Sequence, residues 1–301
     1  MRAPIRRPPP VGRNDRVRVV APAGAVRSER LDAGVELLGR RLRLVVPPGV
    51  RARHGYLAGD DAHRLGAIDA AFADSGCRAV IAARGGFGTT RILDRIDLAR
   101  LERDPIWVVG SSDLTALLLR LYAELGLASI HGPMVAGLDR QRRDLEALAA
   151  LLAGERLPPE ALTGLAPGVA EGPLLGGNLT ILAHLCGALD PAVYEGAVLF
   201  FEEVGERPFR VDRCLTQLWR TGVLERVAGV VVGDLTGCEA AAGPSAREVV
   251  GEHLAGLGCP VAEGYPAAHG DRNLPFVHGA AVRLEVEPAG TARLEETVTA
   301  P

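Results

Sequence analysis

Ile106-Trp107-Val108-Val109-Gly110-Ser111-Ser112-Asp113-Leu114, running on through Leu117, Leu118 and Leu121 to Gly126, is the segment that most constrains the architecture. Ile106–Val109 is apolar, too short for a helix and closed by a glycine, so it reads as a strand buried on both faces. Leu114–Leu125 carries a broad apolar face and stops at Gly126, the residue best suited to a left-handed helix cap. A buried strand that turns directly into a helix is one step of a parallel α/β sheet. Such sheets gather their working residues at the carboxyl ends of the strands.

Working outward, Arg16–Val20, Ala79–Ala82 and Ala128–Ile130 repeat the strand pattern. Between the first two, Ala62–Ala73 places Leu65, Ile68, Ala71 and Phe72 at helical spacing. The pattern fails around 154–172, where Pro158, Pro159, Gly164, Pro167 and Gly168 crowd together and predict an interdomain linker. The expected division is a first domain at 14–155, a linker at 156–171 and a second domain at 172–298. The second half opens on a glycine-rich turn and a helix over Asn178–Leu185. A strongly apolar strand (Ala197–Phe201), a helix (Val211–Arg220), a strand (Gly229–Val232) and a helix (Arg247–Leu254) follow. Ala281–Glu287 and Ala292–Thr297 predict a closing β-hairpin.

Composition narrows the function classes. Of 301 residues, 48% are hydrophobic and 24% charged, which suits a globular chain and excludes wholesale disorder. The net charge of −3 provides no field for holding a polyanion, so no nucleic-acid partner is expected. Every basic side chain is arginine, with no lysine. The Arg/Pro-rich start, Met1–Pro10, lacks the apolar core of a signal peptide, and no run is long enough to span a bilayer. The five cysteines form no CxxC pair and their number is odd, which argues against a disulfide framework or a zinc site. No histidine pair has HExxH spacing. A cytoplasmic setting with no metal and no cofactor is expected.

Three segments carry candidate chemistry. Gly110-Ser111-Ser112-Asp113 puts a serine on a sharp strand-to-helix turn, beside backbone N–H groups that lack intrahelical partners and could stabilise an acyl-transfer oxyanion. The same residue types serve equally as an ordinary helix N-cap. Arg84-Gly85-Gly86-Phe87-Gly88 follows a strand and allows close backbone approach. It could supply an oxyanion N–H, cradle a phosphate or simply turn the chain, and it lacks the GK[ST] ending of a P-loop. Glu202-Glu203 ends an apolar strand, where adjacent carboxylates call for a cationic partner unless the loop is solvated. His269 lies in Gly264-Tyr265-Pro266-Ala267-Ala268-His269-Gly270, a loop bounded by turn formers.

Taken in order, RGGFG, GSSD with its helix, IHGPM, LLGGNLT, FFEEVGERPFRVDR and GYPAAHG resemble the LD-carboxypeptidases. This is the serine peptidase family of muramoyl-tetrapeptide carboxypeptidases, which also includes the microcin C self-immunity peptidases. The resemblance runs from about Val17 to about Val282. It implies a Rossmann-like, flavodoxin-like parallel-sheet domain joined to a smaller α/β domain of the swivelling β/β/α type, usually as a homodimer. It implies a metal-independent triad with Ser112 as nucleophile, Glu202 as its acid and His269 as its base. Backbone N–H groups of Gly86 and Asp113 would form the oxyanion hole, with Arg84 as a candidate for binding the substrate's terminal carboxylate. The expected activity is release of the terminal D-alanine from a muropeptide tetrapeptide. The alternatives are cleavage of a peptidyl or aminoacyl nucleotide and, in a different class, non-hydrolytic binding of a phosphate ligand. Phe87, Glu203, Ala268 and Ala23 depart from the family pattern, where tyrosine, aspartate, glycine and serine are usual. The second departure leaves open whether Glu202 or Glu203 partners the histidine.

Overall fold

The computed structural model describes residues 5–239, 242–267 and 269–297. Ala268 and residue 298, the expected end of the second domain, lie outside them. In chain order the elements begin β1 (Arg16–Val20), α1 (Ser28–Gly39), β2 (Arg43–Val45), α2 (Asp61–Ala73), β3 (Cys77–Ala82), α3 (Thr89–Ile92) and α4 (Ala99–Arg103). Next come β4 (Trp107–Gly110), α5 (Thr115–Leu125), β5 (Ser129–His131), α6 (Leu145–Leu152), β6 (Glu160–Ala166), β7 (Gly168–Asn178) and α7 (Leu179–Leu185). The chain ends with β8 (Val198–Val204), α8 (Pro208–Arg220), β9 (Gly229–Thr236), α9 (Ala246–Leu254), β10 (Val261–Glu263), β11 (Phe276–His278), β12 (Ala281–Val286) and β13 (Thr291–Glu296). Two compact units result. One runs to Arg156 and takes in Leu274–Val277; the other runs from Leu157 to Asn273 and resumes at His278.

In the first unit the sheet order is β11-β5-β4-β3-β1-β2, with β2, β1, β3, β4 and β5 paired in parallel. The order 2-1-3-4-5 is that of a flavodoxin-like sheet, as the sequence led us to expect. All four residues of β4 and five of six in β3 are buried, which is why both read as unbroken apolar runs. α5 buries Leu117, Leu118 and Leu121 completely, each contributing about 1.5–3 kcal/mol. It ends at Gly126 with φ +56, its N–H bonded to Leu121 and Tyr122 carbonyls. The Arg/Pro-rich start is also part of this unit: Trp107 Nε1 donates to the Pro9 carbonyl (3.0 Å) and the Val11 N–H to Leu152 (2.7 Å). Strand order reverses between β1 and β3, and the loops leaving them are tied by the Gly24 N–H donating to the Gly85 carbonyl (3.1 Å). Such a reversal is where open α/β sheets place ligands.

The second unit is a closed barrel in the order β10-β6-β13-β12-β7-β8-β9, parallel along β7-β8-β9-β10 and antiparallel elsewhere. Here the expectation of a linker at 156–171 needs correction, because β6 and the start of β7 occupy it. β6 buries only Leu162 fully and leaves its alternate residues facing water, so its glycines and prolines outweigh a weak strand signal. Asn178, expected to open a helix after a glycine turn, ends β7 and caps α7 by accepting the Ile181 N–H. β8 continues past Phe201 to Val204, so Glu202 and Glu203 lie inside a strand and are buried, not solvated in a loop. The expected hairpin is β12–β13. Among the described residues, no helix is long and apolar enough to cross a membrane.

Candidate active site

Around Ser112 the backbone does most of the shaping. β4 ends at Gly110, Ser111 is extended (φ −148°), and Ser112 then takes φ +58° before a tight turn into α5. It is the one non-glycine residue among those described with positive φ. That conformation disfavours an L-residue by about 1–3 kcal/mol and tends to persist where function requires it. Neither serine hydroxyl caps the turn or α5, so the N-cap reading of Gly110–Asp113 does not hold. A methyl group on Gly110 would come within 2.7 Å of Leu114, which explains the glycine at the corner.

The glycine loop leaves room in front of this serine. A Cβ on Gly85 would lie 2.8 Å from Ser112 Cβ, 3.0 Å from its Oγ and 3.4 Å from the Asp113 nitrogen. Gly86, the residue singled out from the sequence, has φ +107° and faces Gly24 and Arg84. Its N–H belongs to the peptide whose carbonyl is held by Gly24. Gly85, missed at the sequence level, is therefore the residue in direct contact with the serine. Asp113 is buried, and its carboxylate accepts the Thr89 N–H at 2.8 Å. Burial holds its pKa above the ordinary range, against the opposing pull of the Thr89 hydrogen bonds and the Arg64 charge. Arg84 Nη1 donates to the Ala25 carbonyl (3.0 Å). Partial burial and the neighbouring Arg30 and Arg53 charges lower its pKa. It forms no ion pair with a carboxylate among the described residues, which leaves its guanidinium suited to an anionic ligand.

Around Glu202 side chains set the geometry. The β8 register shifts between Phe201 and Glu203, and this bulge turns two successive carboxylates into buried sites. Glu202, 1% exposed, meets His269 Nδ1 at 2.7 Å through Oε2. Burial raises its pKa, His269 draws it down and Glu203 pushes it up again. Glu203 accepts the Thr180 N–H (2.8 Å), the Thr180 hydroxyl (2.7 Å), the Val204 N–H (2.8 Å) and Asn178 Nδ2 (2.9 Å). The ambiguity between the two carboxylates thus has a geometric answer: Glu202 faces the histidine, and Glu203 holds the start of α7. Two supporting residues were not legible from residue type or spacing. A Cβ on Gly233 would lie 2.6 Å from the Ala267 carbonyl and 3.0 Å from Glu202 Cβ, so this glycine lets the histidine loop approach β8. His278 Nε2 accepts the Gly176 N–H (3.2 Å) at the bend that presents Asn178. Full burial lowers the His278 pKa to about 3, so it stays neutral.

The flavodoxin-like sheet thus carries a serine on a strained strand-to-helix turn, and the mixed barrel carries a buried carboxylate–imidazole pair. The LD-carboxypeptidase N-terminal domain model matches residues 17–132 and the C-terminal domain model residues 171–284. The murein tetrapeptide carboxypeptidase of Pseudomonas aeruginosa is 34% identical over 298 residues, covering 90% of this chain and 93% of that protein. The crystal structure of muramoyltetrapeptide carboxypeptidase from Oxalobacter formigenes superposes with a TM-score of 0.81 at 27% identity, covering 94% and 99% of the two chains. The microcin C7 self-immunity protein MccF shares the fold, with a TM-score of 0.86 at 20% identity over 96% and 98%. The chain belongs to the LD-carboxypeptidase family, a family of serine carboxypeptidases.

Proposed function

We propose that the protein is a serine-type L,D-carboxypeptidase that removes the terminal D-alanine from muropeptide tetrapeptides. The observation that carries this reading is the buried Glu202–His269 contact at 2.7 Å, in a chain whose one described positive-φ serine is Ser112. With Nδ1 turned to Glu202, the imidazole keeps Nε2 as its basic nitrogen. In the proposed cycle His269 takes the Ser112 proton as Oγ attacks the carbonyl of the last peptide bond. Glu202 fixes the tautomer and stabilises the imidazolium. The Gly86 and Asp113 N–H groups receive the oxyanion, and His269 returns the proton to the leaving amine. Water then attacks the acyl-enzyme by the same route. Arg84 holds the terminal carboxylate and so confines the enzyme to chain ends. The relative named for murein tetrapeptide supports this substrate over a nucleotide conjugate, because it is 34% identical to this chain and MccF 24%. We further propose a cytoplasmic homodimer, whose oligomeric state sedimentation of the purified chain would report.

The test is competition between a purified muropeptide tetrapeptide and an aminoacyl sulfamoyl adenosine, with products identified by mass spectrometry. Release of D-alanine from the tetrapeptide supports the proposal. Preferential cleavage of the nucleotide conjugate would transfer the protein to the other branch of the family.

A further inference from the structure

Arg64 has no place in the proposed reaction, yet it is completely buried. It lies on the inner face of α2 with Ile68, Ala71 and Phe72, where an apolar side chain would be the ordinary choice. Isolating a guanidinium from water is unfavourable unless its donors are satisfied, so its partners deserve a functional explanation. Nη1 donates to the Pro22 carbonyl, in the loop after β1, and to the Gly88 carbonyl (2.7 Å), at the end of the glycine loop. Nη2 donates to Asp61, which also accepts Arg91 Nε at 3.0 Å. The next group along the loop is the Thr89 N–H, which donates to Asp113 at 2.8 Å. One peptide unit, Gly88–Thr89, is therefore gripped at its carbonyl by a buried cation and at its N–H by a buried anion. The anion belongs to the residue that follows Ser112. Gly88 has φ +135°, and a Cβ there would lie 2.7 Å from Arg64 Nη1, so the contact also requires a glycine.

We propose that Arg64 is a positioning residue for acyl transfer: with Asp113 it fixes the Gly88–Thr89 peptide, and through it the placement of Gly85 and Gly86 against Ser112. This rests on the hydrolase reading above and extends it to a residue that touches neither substrate nor the reacting atoms. Two ionic hydrogen bonds on one peptide resist rotation better than neutral ones, and bonds of this kind are about twice as strong. Oxyanion donors are effective only when already aimed, and a displacement of about 1 Å can lower a rate on the order of 100-fold. Lysine preserves the charge but not the fork that reaches Pro22 and Gly88 together.

The experiment compares Arg64→Lys and Arg64→Ala with wild type in the full-length protein. It measures kcat and KM for D-alanine release, the rate of fluorophosphonate labelling, and the fraction of molecules titrated by that probe. For Arg64→Lys we expect kcat to fall on the order of 10- to 100-fold with KM within about twofold, since loop geometry and not ground-state binding is disturbed. Adding millimolar guanidinium to Arg64→Ala should restore part of kcat while leaving wild type unchanged. If Arg64→Ala fails to fold, the Lys variant decides alone. Wild-type kcat in a folded Arg64→Lys protein overturns the inference. So does a loss explained entirely by fewer titratable molecules, which would make Arg64 merely structural. A wild-type protein that neither labels nor releases D-alanine removes the hydrolase reading itself; equal labelling of wild type and Arg64→Lys removes only the present proposal.

Discussion

Around Ser112 the geometry comes from the main chain: a left-handed serine, a cornering Gly110 and a Gly85 that has no room for a methyl group. Around Glu202 it comes from side chains: a buried carboxylate against an imidazole, and a second carboxylate satisfied by Thr180, Val204 and Asn178. The first region should be intolerant of added bulk at Gly85 and Gly110, and of changes at Arg64 that release the Gly88–Thr89 peptide. The second should tolerate weakened hydrogen bonding poorly at Glu203 and loss of charge poorly at Glu202. Each kind of construction fails in its own way, and substitutions can separate them.

The largest effect belongs to the nucleophile. Ser112→Ala should lower kcat by about 10⁵ to 10⁶, as loss of a triad serine does, while leaving the thermal midpoint nearly unchanged, because alanine carries the same left-handed φ penalty. Residual turnover above a tenth of wild type would contradict the role. The adjacent carboxylates come next. Glu202→Gln should retain the fold and lose roughly 10³ to 10⁴ in kcat, because an amide neither fixes the imidazole tautomer nor stabilises its cation. Glu203→Gln should instead destabilise by about 1–3 kcal/mol through its weakened buried hydrogen bonds and change kcat by less than about tenfold. Reversal of these two profiles would exchange the assignments.

Gly85→Ala tests the backbone side of the comparison. Its methyl group would overlap Ser112 by the distances above, so kcat should fall on the order of 100-fold and stability by about 1–3 kcal/mol. The effect smallest at neutral pH is an acid sensitivity that comes from His278. Its pKa in the folded protein is about 3 against an ordinary 6.5, so below pH 6.5 the unfolded chain binds the proton first. Stability present above pH 6.5 is therefore lost as pH falls toward 3, by about 3 kcal/mol at pH 4. His278→Gln, whose side-chain amide oxygen reaches the position of Nε2 and can accept the Gly176 N–H, should flatten the decline of urea midpoints between pH 6.5 and 4. A decline as steep as wild type would assign the acid sensitivity elsewhere.

Legibility followed the same division. Buried parallel strands such as β3 and β4 could be read because both faces are largely apolar, and Gly126 marked the end of α5 because a left-handed cap favours one residue type. The half-wet strand β6 could not, because alternation over seven residues with Pro and Gly nearby resembles a linker. Resemblance to a family supplied Ser112, Glu202 and His269; their local environments came only from coordinates. Nothing in two adjacent glutamates reveals that a bulge buries both. Nothing in RGGFG indicates which glycine meets the serine, because identical residues differ only in φ. Arg64 was concealed differently. It occupies the apolar face of α2, where spacing alone identifies a core position but cannot explain a charge there.

The central claim, that Ser112 is a nucleophile activated by His269, is tested most directly by treating wild type and His269→Ala with a fluorophosphonate and locating the adduct by intact mass and peptide mapping. The account predicts one adduct per wild-type chain, on Ser112, forming at least about 100-fold more slowly without the imidazole. An adduct on another residue, no adduct at all, or equal rates in the two proteins would contradict it.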